Sequence, residues 1–171
     1  MDRAQTRKSK LQQRERRFDM NETLRLRKAT RADQRVLEDV QRRASLAYEE
    51  YREALVAHPD AIAVPVEQID AGDVVVAERD GAITGFAAIV MRADGDADLD
   101  AIFVLPELWK QGIGRVLIGA AEKIALERRA RAMQVVANPN ALAFYKSCGY
   151  LVTGESQTQF GVGITMAKRF S

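Results

Sequence analysis

Three apolar segments in close succession, each cut from the next by a tight-turn signal, constrain this chain more than any other feature. Val74-Val75-Val76-Ala77-Glu78 reads as a strand, and the Asp80-Gly81 pair behind it is a strong two-residue hairpin signal. Ile83 to Met91 returns as a second strand, Asp94-Gly95-Asp96 turns the chain again, and Leu99 to Leu105 is a third. Past Pro106 the period changes. Ile113, Val116, Leu117, Ala120, Ala121 and Ile124 recur at helical spacing, with Glu122, Lys123, Glu127 and Arg128 on the wet side. Ala132 to Ala137 is a short buried strand behind that helix. An antiparallel meander thus feeds a single β-α-β crossover, which requires a mixed sheet.

The flanking segments extend this pattern. Residues 22–28 alternate polar and apolar as a first strand. Thr30 and Asp33 form a capping box with a shorter acid, opening a helix with Val36, Leu37 and Val40 on one face. A second helical stretch runs from about Ala44 to Ala57, carries Leu46, Tyr48, Tyr51 and Leu55, and stops before Pro59. Residues 58–72 are a long connection, of the length that often shapes a binding site. Asn138 to Cys148 is a short helix, Gly149-Tyr150 begins another strand, and Phe160 to Lys168 is the last. The predicted fold is a single α/β domain over residues 22–171, a mixed, mostly antiparallel sheet with helices on both faces.

Residues 1–21 stand apart as a basic arm. The first 20 positions hold seven basic and three acidic residues, a net +4, so the rest of the chain carries −2 of the overall +2. A single cysteine, Cys148, excludes an intrachain disulfide framework, and one histidine, His58, with no Cys/His cluster, points away from a metal site. No apolar run approaches the roughly 20 residues that cross a bilayer, and the N-terminus is too polar for a signal peptide. A cytoplasmic enzyme without membrane association or metal is the expectation.

The chemistry gathers around Trp109-Lys110-Gln111-Gly112-Ile113-Gly114. Two glycines at a strand-to-helix junction free the backbone for close ligand approach, and the helix start behind them offers unpaired N–H groups to a phosphate. Leu117 stands where the third glycine of a dinucleotide fingerprint belongs, and no Gly-Lys-Ser/Thr of a Walker loop follows. The context is more specific. Asp98 to Gly114 is an acidic strand, a Val and Pro, then this glycine loop. Asn138 to Tyr150 contains Asn138, Ala141, Phe144, Tyr145, Gly149 and Tyr150. The two segments, in this order, resemble the signature motifs of the GCN5-related N-acetyltransferase (GNAT) superfamily, and the element order fits from about residue 22 to 169.

That resemblance implies acetyl-CoA as cosubstrate and a central strand splayed from its parallel neighbour. The pantetheine arm would pair with the strand at Ile102 and Val104. The pyrophosphate would sit on the amides of Lys110, Gln111, Gly112, Ile113 and Gly114, with Arg115 adding charge and Asn138 both capping its helix and touching the arm. Tyr145 matches the residue that serves as general acid toward the departing thiolate. Asp98 and Asp100 occupy the acidic-strand positions and, by period two, share a face with Ile102 and Val104; either is a base acting through water, Asp100 being nearer the thioester end. Trp109 departs from the Arg or Gln usual at the first loop position. The acceptor is a primary amine on a small molecule, a peptide or a charged tRNA, its pocket drawn from Tyr48, Tyr51 and residues 156–160. A homodimer is common among such proteins. Two other readings compete: a non-catalytic acyl-CoA-binding regulatory module, which needs the loop but neither Tyr145 nor the acidic strand, and an ATP- or NAD-binding protein using the same loop.

Overall fold

A computed structural model describes residues 24–171; the basic arm at 1–21 and the start of the expected strand at 22–28 lie outside the described residues. Strand β1 (Leu24–Lys28) leads into a 3-10 turn at Arg31–Asp33 and helix α1 (Gln34–Leu46). The capping box forms, with the Thr30 amide donating to Asp33 Oδ2 at 2.7 Å. Arg27 adds a fork on the same carboxylate, Nη1 to Oδ2 at 2.7 Å and Nη2 to Oδ1 at 2.9 Å, while its Nε reaches Glu78 Oε1 at 2.8 Å. One guanidinium thereby ties β1 to the start of α1 and to the next strand. It also holds the Asp33 carboxyl down to about 2.

The face that α1 buries is Leu37, Val40 and Ala44, an i, i+3, i+7 series, and Val36 lies outside it, exposed. Ala44 and Leu46 belong to this helix rather than to the next, and α2 (Glu49–Ala57) is a separate element starting after Tyr48. The long connection is partly folded, with a 3-10 turn at Pro59–Ala61 and a short helix α3 (Val66–Asp70) behind Pro65.

Strands β2 (Val74–Arg79), β3 (Ala82–Met91) and β4 (Ala97–Val104) form the meander. Asp80 and Gly81 both take positive φ, 52° and 78°, the combination a two-residue hairpin turn demands. Helix α4 (Ile113–Glu127) crosses to β5 (Ala132–Ala137), then α5 (Leu142–Ser147), β6 (Leu151–Thr158) and β7 (Gly161–Arg169) close the chain. The sheet order is β1-β2-β3-β4-β5-β7-β6, antiparallel except where β4 meets β5. Val75, Ala77, Ala87 and Ile89 pack under α4, and Val74, Val76, Phe86 and Ala88 pack under α1 and α3. Covering on both faces is why Val74–Ala77 is an unbroken apolar run.

Helix α4 buries Ile113, Leu117, Ala121 and Ile124 as expected, but the edge of its buried face differs. Ile118 and Ala125 are buried, whereas Val116 and Ala120 are only half-buried. Glu122, expected on the wet side, is turned inward, accepting from Tyr150 Oη at 3.0 Å and from Lys168 Nζ at 3.0 Å. These partners, from beyond α5 and from β7, make the burial of a carboxylate tolerable. No helix among the described residues is long and apolar enough to cross a membrane.

Candidate functional site

The site originates in a failure of pairing. Strands β4 and β5 are registered only at Ala97↔Met133 and Asp98↔Gln134. Farther along, β4 stays with β3 and β5 with β7, so the two central strands part. Leu105 N–H bonds to Thr84 C=O at 2.9 Å on the β3 side. Antiparallel alternation then turns the amides and carbonyls of Ile102 and Val104 toward the gap. The gap is a cleft of about 980 Å³ that reaches the glycine turn, α2 and the β6–β7 turn.

The glycine turn forms the cleft's cationic end. Gly112 is the N-cap of α4 at φ 87°, and Lys110 is also left-handed at φ 62°, an unusual setting for a side-chain-bearing residue. The amides of Lys110, Gln111 and Gly112 donate to no described group, and those of Ile113, Gly114 and Arg115 are first-turn amides without helical partners. A Cβ on Gly112 would meet nothing within 4 Å, while one on Gly114 would meet Phe144 at 3.2 Å. Gly114 therefore admits the α5 ring, and Gly112 leaves a concavity of N–H groups suited to an anion.

At the β5 end, Asn138 Oδ1 caps the following turn by accepting from the Asn140 amide at 2.9 Å. Its Nδ2 is buried with no partner in the protein. Tyr145, on α5, is 6% exposed and lines the cleft, and its hydroxyl has no hydrogen-bond partner among the described residues. Its ring rests on Phe144 and Tyr150, at centroid distances of 5.2 and 5.9 Å. Burial pushes the phenol well above the ordinary tyrosine range.

The acidic strand departs from the expected alternation. Ala88 faces Ala101 and Ile89 faces Leu99, so Asp100 is an extra residue, a β-bulge in β4. Beyond the bulge the faces exchange: Leu99, Ile102 and Val104 pack on the α4 side, Ala101 and Phe103 on the α1 side. Asp98 and Asp100 consequently do not share the face of Ile102 and Val104. Asp100 lines the cleft and accepts from Gln68 Nε2 at 3.2 Å. Asp98 is outside the cleft lining and takes Arg92 Nη1 at 3.1 Å.

The remaining sequence candidates divide similarly. Lys110, Gly112, Ile113, Gly114 and Arg115 line the cleft, Arg115 being held by Ser147 through Nη1 to O at 3.2 Å and Nη2 to Oγ at 2.8 Å. Gln111 lies outside the lining and accepts from Arg79. Trp109 has a definite role that its position in the loop did not reveal: its Nε1–H donates to Val104 C=O at 2.7 Å. Two further residues escaped the sequence reading. Glu50 on α2 accepts from Asn140 Nδ2 at 2.6 Å across the cleft, and Gln68 steadies Asp100. Both contacts join segments distant in sequence, and neither residue type carries a local signal.

A sheet splayed at its centre, with strand edges turned to the gap and unpaired amides at one end, defines a protein with an open cleft shaped for an extended ligand. Residues 37–150 match the Acetyltransferase (GNAT) family, and the chain belongs to it. The PaiA N-acetyltransferase of Thermoplasma acidophilum, solved with coenzyme A, superposes with a TM-score of 0.72 at 22% identity over 86% of this chain and 99% of its own. A GCN5-related N-acetyltransferase from Rhodopseudomonas palustris gives 0.69 at 26% identity over 86% and 96%. The ribosomal-protein-S18-alanine N-acetyltransferase of Escherichia coli gives 0.64 at 18% identity over 86% and 94%. No curated protein matches by sequence.

Proposed function

We propose that the protein moves an acetyl group from acetyl-CoA to a primary amine by direct attack. The carrying observation is an unpaired tyrosine hydroxyl, on a ring that is itself buried, in the same cleft as the free edge of β4 and the amide cradle of the glycine turn. The residues fit the cosubstrate: the amides of 110–115 suit its pyrophosphate, the Ile102 edge suits its pantetheine amides, and Asn138 Nδ2 is a buried donor in need of an acceptor. Fixing the thioester against one strand edge converts the reaction into an alignment problem, and such positioning can supply several kcal/mol.

The proton balance assigns the other groups. An alkyl amine, of pKa about 10, arrives charged and must lose a proton before attack. Asp100, anchored by Gln68 at the bulge, accepts that proton through water. The amine nitrogen forms a bond to the acetyl carbon, the carbon–sulfur bond breaks, and Tyr145 donates its proton to the departing thiolate. Its raised pKa keeps that proton in place until it is needed. Cys148 is buried beside Ser147 and does not line the cleft, which favours direct transfer over an acyl-enzyme.

Thiol release from acetyl-CoA across an amine panel tests this function, with thermal shifts by acetyl-CoA, ATP and NADH alongside. Stabilisation by acetyl-CoA and turnover of at least one amine is the expected outcome. Acetyl-CoA binding with no thiol release from any acceptor would leave a binding module instead. Stabilisation by ATP or NADH alone would overturn the cofactor assignment.

A further inference from the structure

We infer that the aromatic wall of the cleft, running from Trp109 at the start of the glycine loop to the β6–β7 turn, selects an amine with an apolar, planar body and no carboxylate; the inference rests on the acetyl-transfer function proposed above. Four rings stand in a row along this wall. Trp109 and Tyr48 lie 5.4 Å apart between centroids, Tyr48 and Tyr51 5.6 Å, and Tyr51 and Phe160 5.4 Å. They come from four places in the fold: the loop after β4, the turn between α1 and α2, α2 itself, and the β6–β7 turn. All four line the cleft, and all are half-buried rather than sealed in the core. Rings that only filled the core would not keep a continuous half-open face toward an opening.

The charges lining the cleft are segregated. Lys110 and Arg115 are the only cations among the lining residues, and both sit at the glycine turn. The only anions are Glu50, between Tyr48 and Tyr51 in sequence, and Asp100 at the β4 bulge. Glu50 is fixed by Asn140 Nδ2. Burial, and after it the Glu50 charge, raises the Tyr48 and Tyr51 phenols above their ordinary range. An arriving ammonium meets ring faces and carboxylates, a cation-attracting combination. An acceptor bearing its own carboxylate meets two like charges along this wall, the lining cations being confined to the glycine turn. The ring wall adds preference for a flat apolar body over an alkyl chain, through offset or edge-on stacking.

The test compares kcat/KM for acetylation of 2-phenylethylamine, butylamine, phenylalanine and an acidic peptide with a free N-terminus. We expect 2-phenylethylamine to lead phenylalanine and the peptide by at least about ten-fold, and butylamine by about five-fold, mainly through KM. Tyr51→Ala should remove the lead over butylamine while Tyr51→Phe keeps it, which separates the ring's contribution from a folding defect. Glu50→Gln should narrow the gap between 2-phenylethylamine and phenylalanine. Equal turnover of phenylalanine or the peptide overturns the inference and leaves acetyl transfer standing. No thiol release with any amine, despite acetyl-CoA binding, overturns the acetyl-transfer function itself.

Discussion

Tyr145→Phe separates chemistry from folding with unusual clarity, because the structure assigns the hydroxyl no structural task. The ring is held by Phe144 and Tyr150, and phenylalanine keeps both contacts. The lost oxygen has no hydrogen-bond partner among the described residues, so its removal breaks no bond inside the protein. The hydroxyl opens on the cleft rather than being sealed without a partner, so the variant should melt close to the wild-type temperature. Turnover should behave differently. A positioned general acid typically contributes 10²–10⁴-fold, and a loss of about 100-fold in kcat corresponds to about 2.7 kcal/mol of barrier.

The assay is steady-state thiol release at saturating acetyl-CoA, with KM for acetyl-CoA and a melting curve measured on the same samples. KM should remain near wild type, because the proposed pyrophosphate and pantetheine contacts lie elsewhere. Burial holds the Tyr145 phenol above the ordinary range. It therefore stays protonated through the accessible pH range, and the variant's pH profile should keep its shape at lower height. Tyr150→Phe supplies the contrast, since that hydroxyl donates to the Glu122 carboxylate at 3.0 Å and its loss should cost about 1.5–3 kcal/mol of stability with little effect on kcat. A Tyr145→Phe enzyme with kcat within two-fold of wild type would refute the acid assignment. A fall in kcat matched by a collapse in melting temperature would refute the claim that the hydroxyl is structurally idle.

Three other perturbations read other parts of the molecule. Asp33 has its carboxyl lowered from 3.8 to about 2, first by the Arg27 hydrogen bonds. A depressed acid stabilises above its unfolded pKa and loses that contribution as pH falls through its folded one. Asp33→Asn should therefore lose about 2 kcal/mol at pH 7 in urea unfolding, with the difference from wild type shrinking between about pH 4 and pH 2; a pH-independent difference would exclude linkage as the cause. Gly112→Ala places a Cβ at φ 87° in open space, so it should cost about 1–2 kcal/mol of backbone strain and weaken acetyl-CoA binding at least about ten-fold by calorimetry, whereas an unchanged Kd would mean the turn is not the pyrophosphate cradle. Trp109 is the sole tryptophan, and its Nε1–H occupies Val104 C=O. Acetyl-CoA should shift its fluorescence if the pantetheine claims that carbonyl, and an unperturbed emission on saturation would leave Val104 C=O to the indole.

The fold was legible because its signals are local. The Asp80-Gly81 turn, the apolar series of α4 and the Thr30–Asp33 cap each announce themselves within a few residues, and the alternation of meander and crossover leaves few topologies open. The Asp100 bulge was not legible, for a specific reason. Asp98, Asp100, Ile102 and Val104 keep a period of two on paper, and the extra residue reveals itself only in the register against β3. The inward turn of Glu122 was hidden likewise, since its partners Tyr150 and Lys168 arrive from other elements. Trp109 was visible as an oddity in the loop, but its partner is a backbone carbonyl, for which no side-chain pattern exists. What local sequence cannot encode is which backbone groups a tertiary arrangement leaves unpaired.

Those unpaired groups are the functional content of this fold. Closing β5 against β4 beyond Asp98 would satisfy the ladder and abolish the cleft, so the splay trades strand pairing for a binding edge. The trade is tolerable because little of it is left both buried and empty-handed. Val104 C=O is met by Trp109, Asn138 Oδ1 by its own turn, and the loop amides face an open cleft. Among the described residues lining the cleft, Gln41 Oε1 and Asn138 Nδ2 are buried without a partner and the Tyr145 hydroxyl is unpaired; the last two are donors, one beside the proposed pantetheine arm and one beside the proposed sulfur. A ligand that satisfies both donors at once adds its binding energy to the stability of the splayed sheet. An acetyl thioester on a pantetheine arm has acceptor atoms in that order along its length. A nucleotide without the arm leaves both donors unmet, which is why ATP should stabilise this protein far less than acetyl-CoA at equal concentration.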